Sequence, residues 1–94
     1  MTSDDAQLAV ASELQRATKK FGPFTSAHEG IAIIREEYLE LEREVFHGDL
    51  NRAAEEAIQL AAMAIRFLVD VPYPSPLRPT DAWETLRRET GWKE

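Results

Sequence analysis

Apolar residues recur along this chain with the three- and four-residue spacing of amphipathic helices, and no stretch shows the two-residue alternation of a strand. A first helix is expected from Ser3, as its N-cap, to about Lys20, where the Gly-Pro pair at 22–23 stops it. Ser26, with an acid three residues later, has the capping-box spacing and predicts a second helix, which Gly48 ends. The pattern therefore predicts helices joined by short connections.

A third helix is expected over residues 52–71, with Asp49 or Asn51 as its cap and Pro72 after it. Its apolar side chains cover most of its circumference and leave one narrow polar stripe. A helix that is apolar on nearly all sides has to be buried on nearly all sides, and a chain of 94 residues can hardly surround it alone. We therefore expect it to pack in a homo-oligomer. The residues of the polar stripe are Arg52, Glu56, Gln59, Arg66 and Asp70.

The end of the chain adds a short final element. The proline-rich segment 72–79 is expected to be a stiff, extended linker, and a short helix is expected over 80–91. The central part of the domain, to which the linker and the last helix are appended, is expected over residues 26–71. The fold class that follows is all-α: a single domain over residues 1–94, built as a helical bundle of about four helices.

The second helix is expected to carry its apolar residues on one stripe and its glutamates around that stripe. Glu37 lies at the edge of the stripe, and Glu40 lies further round. Glu36, Glu42 and Glu44 are expected on the solvated face, where arginines are available as partners. The residues expected on the apolar stripe are Ala27, Ile31, Ile34, Tyr38, Leu41 and Val45.

Composition and charge act mainly by exclusion. The hydrophobic content of 44% is typical of a globular chain, and the absence of cysteine excludes disulfides and thiolate metal sites. A net charge of −6 repels phosphate backbones, so duplex nucleic acid is not an expected partner. No apolar run reaches membrane-spanning length, and the first residues are acidic where a signal peptide is basic. We therefore expect a cytoplasmic protein that does not bind a membrane.

The candidate functional residues are polar side chains with the same spacing on the second and third helices. Glu37 and Glu40 are spaced i, i+3 on the second helix, and Glu56 and Gln59 repeat this spacing on the third. Because the turn between these helices is short, they should pair antiparallel and bring the four side chains together. Two carboxylates about 4 Å apart repel by roughly 4 kcal/mol at an effective dielectric near 20. Mg²⁺, which takes oxygen ligands, is the natural neutralising ion, whereas glutamates that merely face solvent are the alternative.

The same residues also form a motif that is similar to the signature of a known protein family. The motif Glu36-Glu37-x-x-Glu40, followed after a short turn by Glu56-x-x-Gln59, resembles the signature of the MazG-type all-α nucleotide pyrophosphohydrolases. Their pattern is Glu-Glu-x-x-Glu and then Glu-x-x-Asp on the next helix. The resemblance implies a homodimer or homotetramer that hydrolyses a nucleoside triphosphate to a monophosphate and pyrophosphate with Mg²⁺ or Mn²⁺.

The resemblance covers about residues 26–70 and implies a role for each of several glutamates. It implies that Glu37, Glu40 and Glu56 are metal ligands. It also implies that Glu36 is an additional acid that orients water or a second metal, so that Glu36 and Glu37 are the expected catalytic residues. These roles are expectations for this chain.

The chain departs from the family pattern in two respects. Gln59 replaces the final Asp: its carbonyl oxygen can bind Mg²⁺, but it brings no charge and cannot act as a base. The cationic cluster that many members use to bind phosphates is missing after the third helix. The available substrate-binding residues are Lys19, Lys20, Arg66 and His28. The lysines also suit a helix C-terminus, and Arg66 could pair with an acid four residues later.

Other functions stay open from the sequence. A catalytically weak or inactive MazG-like oligomer that binds a nucleotide or another protein is favoured by Gln59 and the missing cations. A phosphoribosyl-ATP pyrophosphohydrolase is a related alternative, but Ile34 and Arg35 stand where paired lysines are expected. A carboxylate-bridged redox metal protein is a further one, against which the lack of a Glu-x-x-His motif counts.

Overall fold

The computed structural model describes residues 1–72 and 81–90, and these residues are almost entirely helical. The all-α prediction of about four helices is confirmed. Of the expected linker at 72–79, residues 73–79 lie outside the described part. None of the described helices is both long enough and apolar enough to cross a membrane. The four helices are α1 (Ser3–Lys20), α2 (Ala27–Phe46), α3 (Leu50–Asp70) and α4 (Asp81–Thr90).

The start of α1 differs by one residue from its prediction. Thr2, and not Ser3, is the N-cap: its side-chain oxygen accepts a hydrogen bond of 3.1 Å from the backbone N–H of Asp5. The carboxylate of Asp5 accepts in return from the N–H of Thr2, at 3.2 Å. This reciprocal capping box satisfies two backbone donors. A cap at Ser3 would place Ala6 at the third helical position, where no side chain could return the bond.

The start of α2 is the predicted one. Ser26 is the N-cap and accepts a hydrogen bond of 3.1 Å from the backbone N–H of Glu29. The carboxylate of Glu29 accepts from the hydroxyl of Thr25, at 2.7 Å. The spacing between Ser26 and Glu29 therefore identified the helix start correctly, and the acid also holds the residue before the cap.

A three-residue turn, 47–49, connects α2 to α3. Of the two predicted caps, Asp49 and Asn51, Asp49 is the N-cap of α3. Its carboxylate accepts a hydrogen bond of 3.1 Å from the backbone N–H of Arg52. The third helix therefore begins at Leu50, two residues earlier than predicted. Gly48 has φ of +76°, a left-handed conformation that glycine adopts without strain and that ends α2 at this point.

The central helix of the described part is α3, which packs against α2 and against α1. The core lies where these three helices and the segment between α1 and α2 meet. Its small residues, Ala17 and Ala62, are almost completely buried and allow the helix backbones to approach. The buried cluster consists of Ala17, Phe24, Ala62, Met63 and Val71, with Val10, Leu14, Ile33, Ile34 and Phe67 packed against it.

The orientation of α2 corrects the predicted apolar stripe. Ile34 and Leu41 are partly buried as expected, but Ile31, Tyr38 and Val45 are each about half exposed. The helix is rotated so that another stripe, with spacings of four and three residues, faces inward. The residues on this inner stripe are Gly30, Ile34, Glu37, Leu41 and Glu44.

Gly30 explains the rotation of α2. It is buried, and a Cβ atom built on it would lie 2.7 Å from Cδ2 of Phe67 and 3.3 Å from Cδ2 of Phe24. Only a residue without a side chain allows α2 to approach α3 this closely. Because the close approach is made at Gly30, the glutamates one and two heptads further along the same stripe turn toward α3.

Replacing Gly30 with Ala is expected to lower the free energy of unfolding by about 1 kcal/mol, because overpacking of about 1–3 kcal/mol exceeds the gain of about 1 kcal/mol in helix propensity. Urea unfolding measures the difference. Gly22→Ala is the control, since a Cβ atom at Gly22 meets nothing within 4 Å. A Gly30→Ala variant as stable as the wild type would contradict the close approach of α2 to α3.

Candidate metal centre and adjoining cleft

Three carboxyl groups converge between α2 and α3. Glu37, Glu40 and Glu56 each offer an oxygen atom, and these atoms lie within 4.8 Å of one another. The three-residue turn folds α3 back along α2, which brings the i, i+3 pair of α2 opposite Glu56. All three side chains are partly buried. The convergence predicted from the spacing is confirmed for these three of the four expected side chains, and the three glutamates could hold a metal ion.

The proximity of these groups changes their protonation. Burial and the neighbouring charge of Glu40 raise the pKa of Glu37 to about 7, with smaller contributions from Glu56 and Glu36. Burial and a hydrogen bond with Glu40 raise the pKa of Glu56. A hydrogen bond between Glu37 and Glu56 raises the pKa of Glu37 and opposes the rise in the pKa of Glu56. Without a cation, the centre therefore retains a proton near neutral pH.

Two oxygen atoms of the centre lack partners. Oε2 of Glu37 and Oε2 of Glu56 are buried and accept no hydrogen bond from any residue of the described chain. A buried carboxylate oxygen without a donor is unfavourable by about 1–3 kcal/mol or more. Oxygen donors that are anionic, close together and unpaired are the kind of ligands that Mg²⁺ or Mn²⁺ takes.

The position of Glu44 differs from its prediction. Its side chain is only 13% exposed, although the sequence placed it on the solvated face. It lies on the inner stripe, and its charge contributes to the raised pKa of Glu56. Its carboxylate is 3.8 Å from Nε of Arg43, which partly balances the charge. Its spacing of i, i+7 from Glu37 was the signal in the sequence that it shares that face.

A cleft of about 570 Å³ opens beside the centre, and Glu37 belongs to both. Its walls come from α1, α2, α3 and the segment 21–24 between the first two helices. The apolar part of the lining is Ala17, Phe21, Pro23, Phe24, Ile33 and Met63, together with the backbone of Gly22. The polar part is Glu13, Arg16, Glu29, Glu36, Glu37, Gln59 and Arg66.

Two further residues that the sequence predicted for the site, Gln59 as a metal ligand and Glu36 as a catalytic acid, also lie at the cleft. Gln59 and Glu36 both line the cleft together with Glu37. Glu36 is exposed, in agreement with the expected solvated position, and its carboxylate is therefore accessible from the cleft. Glu42 is exposed as well, as expected. The cleft therefore combines acidic groups with an amide beside the metal centre.

Arg66 also lines the cleft, but its guanidinium is already engaged. Its Nη2 donates to the carbonyl oxygen of Gly22 at 2.5 Å, and its Nη1 donates to Sδ of Met63 at 3.6 Å. Its Nε is 3.9 Å from Asp70, the ion pair that the i, i+4 spacing suggested. The guanidinium also lies over the ring of Phe24, 4.5 Å from its centroid. Arg66 therefore joins α3 to the segment that forms one wall of the cleft.

The other expected substrate-binding residues lie elsewhere. Lys19, Lys20 and His28 are exposed and are not among the residues that line the cleft. Nζ of Lys20 lies 5.3 Å from the centroid of the Phe21 ring, a cation–π contact at the end of α1. The structure thus does not bring these three residues to the cleft that adjoins the carboxylates.

Arg16 is the cation that the sequence reasoning missed. It lines the cleft from α1, and Glu13 accepts two hydrogen bonds from its guanidinium, at 2.8 and 2.6 Å. The signal was the i, i+3 spacing of Glu13 and Arg16 on the face that also carries the buried Ala17. Local spacing does not show which face of α1 contacts α3, and therefore it does not place Arg16 in the cleft.

The fold and the centre define an all-α protein with a cluster of carboxyl groups suited to a divalent cation and a cleft beside it. Comparison of the chain with protein-family models, with curated proteins and with solved structures finds no significant match. The chemistry of the centre and the cleft is therefore the basis for assigning a function.

Proposed function

We propose that this protein is a Mg²⁺-dependent nucleoside triphosphate pyrophosphohydrolase of the MazG-like kind, which releases pyrophosphate and a nucleoside monophosphate. The observation that carries the proposal is the group of Glu37, Glu40 and Glu56 beside a cleft of about 570 Å³. A cleft of this size accommodates a small organic ligand. Nucleoside triphosphates are intracellular metabolites, so a cytoplasmic location belongs to the same proposal.

The residues of the centre fit the ion. Glu37, Glu40 and Glu56 would hold Mg²⁺ or Mn²⁺ through their carboxylates, and two of their oxygen atoms are buried without any other partner in the described chain. The amide oxygen of Gln59 is a neutral donor beside them. When bound, the ion would neutralise phosphate charge and polarise phosphorus for attack by water.

The chain's own residues supply the remaining parts of the reaction. Glu36 lines the cleft, and in the proposed reaction its carboxylate orients a water molecule and accepts its proton. The water oxygen forms a bond to the α-phosphorus, the bond between that phosphorus and the bridging oxygen to the β-phosphate breaks, and pyrophosphate leaves. Phe21 and Phe24 give the cleft an apolar side that limits the access of bulk water.

The direct test is a pyrophosphate-release assay with Mg²⁺ or Mn²⁺ over a panel of ribo- and deoxynucleoside triphosphates. Glu37→Gln is expected to lower turnover by at least about 100-fold, because it removes a ligand that is also next to the reacting group. Glu55→Gln, an exposed neighbour of Glu56 on α3, removes the same charge outside the centre and should leave turnover unchanged. Absence of pyrophosphate release across the panel would reject the catalytic proposal.

A second candidate function is a catalytically weak or inactive MazG-like oligomer that binds a nucleotide or another protein. Two observations favour it: Gln59 supplies no charge to the centre, and the guanidinium of Arg66 is engaged by the protein itself. This candidate predicts binding of a nucleotide with Mg²⁺, measurable by calorimetry, without the release of pyrophosphate.

Replacing Gln59 with Asp is expected to raise the affinity for Mg²⁺ and Mn²⁺ by about tenfold, because a fourth carboxylate then faces the centre. Calorimetric titration with each ion measures the change. Gln15→Asp, at an exposed position of α1, adds the same charge away from the centre and is the control. Equal metal affinity in the Gln59→Asp variant and the wild type would show that this side chain does not reach the ion.

We also infer that the protein is a homodimer or homotetramer. Large apolar side chains remain exposed in the single chain, among them Val69 on α3 at 75% and Phe46 at the end of α2 at 81%. Burying such side chains against a second copy is favourable by about 25 cal/mol per Å². Light scattering after size-exclusion chromatography should give a mass that is a multiple of 10.7 kDa. A single species with the mass of one chain at micromolar concentration would contradict the inference.

A further inference from the structure

A phosphate chain that enters this cleft meets mostly negative charge. Glu36 and Glu37 line the cleft, and the whole chain carries a net charge of −6. Even with a divalent cation at the centre, a triphosphate keeps further negative oxygens that need donors. The cleft must therefore supply a cation of its own, and two arginines line it: Arg16 and Arg66.

The two arginines differ in their free donors. The Arg66 side chain is 6% exposed, and its three guanidinium nitrogens face Gly22, Met63 and Asp70. The side chain of Arg16 is 53% exposed, and within the described chain only its Nε and one N–H of Nη2 are used, both toward Glu13. A guanidinium has five N–H donors, so three of those on Arg16 remain for a ligand.

We propose that Arg16 binds the phosphate chain of the substrate and that Glu13 holds Arg16 in position for this purpose; the inference rests on the proposed function. Glu13 grips one edge of the planar guanidinium with two hydrogen bonds and leaves the other edge for a second pair of oxygens. The Glu13 side chain is 14% exposed, and its hydrogen bond with Arg16 lowers the pKa of Glu13, so this carboxylate stays charged at neutral pH. Arg16 is thus a substrate-binding residue and Glu13 a positioning residue.

The test measures binding and turnover separately on the full chain. Calorimetric titration with inorganic tripolyphosphate, in saturating Mg²⁺, reports phosphate binding without any nucleoside or reaction. Arg16→Gln is expected to weaken this binding by about 10- to 100-fold, the effect of losing charge-assisted hydrogen bonds, and to raise KM more than it lowers kcat. Arg35→Gln removes the same charge from an exposed position of α2 outside the cleft and should change neither quantity.

Two further variants separate binding from positioning. Arg16→Lys keeps the charge without the planar fork and should recover part of the lost affinity. Glu13→Gln keeps Arg16 but weakens its fixation, and should give a smaller loss of affinity than Arg16→Gln. Thermal unfolding of each variant confirms that it is folded.

Each outcome is decisive. Tripolyphosphate binding by Arg16→Gln within twofold of the wild type would overturn the role of Arg16, even if the wild type releases pyrophosphate. Arg16-dependent binding by a wild type that hydrolyses no triphosphate would reject the proposed reaction and leave Arg16 as part of a polyphosphate site. Failure of the wild type to bind tripolyphosphate would overturn the inference whatever the assay shows.

Discussion

Replacing Glu37 with Gln should make the metal-free protein more stable while it removes the ability to bind a divalent cation. Glu37 has a buried oxygen without a hydrogen-bond partner in the described chain, and the charges of Glu40 and Glu56 lie close to it. A glutamine has the same shape and no charge. The expected gain in the free energy of unfolding at pH 8, in the presence of a chelator, is about 1–2 kcal/mol after allowance for partial exposure to solvent.

The pH dependence gives this prediction its sign. The pKa of Glu37 is about 7 in the folded protein and 4.5 for an unperturbed glutamate side chain, so protonation favours the folded state. The contribution of Glu37 to stability is therefore fully present below about pH 4.5 and is lost as the pH rises through about 7. The wild type and Glu37→Gln should be equally stable at low pH, and their difference should open between these two values.

Metal addition should reverse the order of stability. An ion that binds only the folded state raises its stability by about 2.7 kcal/mol at 100 times its dissociation constant. The wild type should gain this stabilisation from Mg²⁺ or Mn²⁺ at pH 8, whereas Glu37→Gln should gain little. Urea unfolding with chelator and with metal measures both effects, and Glu55→Gln is the matched control at an exposed position. If Glu37→Gln were less stable than the wild type in chelator, the charge of Glu37 would not destabilise the metal-free protein, and the raised pKa of Glu37 would be contradicted.

The acidic centre could be predicted because it depends on local rules. The i, i+3 spacing places Glu37 beside Glu40, and the turn 47–49 is too short for α3 to do anything but fold back along α2. Helix bounds were correct to within about two residues for the same reason, since Ser26 and Asp49 cap their own helices. These features depend only on residues that are close together in the sequence, so the sequence alone was sufficient to predict them.

The rotation of α2 could not be predicted from the same rules. Counting apolar side chains gives no weight to a glycine, and yet Gly30 determines where α2 approaches α3. The closest approach of two helices is a tertiary property that depends on the absence of a side chain as much as on its presence. The inward position of Glu44 follows from this rotation, which is why the pattern of apolar side chains predicts the wrong face for Glu44.

The residues around the cleft illustrate the same limit. Arg16 and Glu13 come from α1, whose face toward α3 depends on Ala17 packing in the core. Arg66 was correctly paired with Asp70 from its spacing, but its bond to Gly22 joins residues 44 positions apart. Local spacing identifies pairs within one helix, whereas the function of those pairs depends on which distant segment they contact.

Replacing Arg66 with Met should lower the free energy of unfolding by about 3–5 kcal/mol, the effect of removing one partner from a buried charge pair. Asp70 would lose its cation, and the carbonyl oxygen of Gly22 would lose its donor. The carboxylate of Asp70 also accepts from the backbone N–H of Phe24 at 3.1 Å, so both side chains hold the segment 21–24 against α3. Urea unfolding measures the loss, and the segment that forms one wall of the cleft should loosen with it.

Arg52→Met is the matched control for this prediction. Arg52 also pairs with an acid on its own helix end, Asp49 at 3.8 Å, but its side chain is 70% exposed. Because exposed ion pairs contribute only about 0–1 kcal/mol, this variant should be nearly as stable as the wild type. An equal effect of Arg66→Met and Arg52→Met would show that burial adds nothing to the Arg66 pair. A large loss for Arg66→Met alone, measured without any nucleotide, would mean that Arg66 builds the cleft, and that the phosphates must find their cation at another residue.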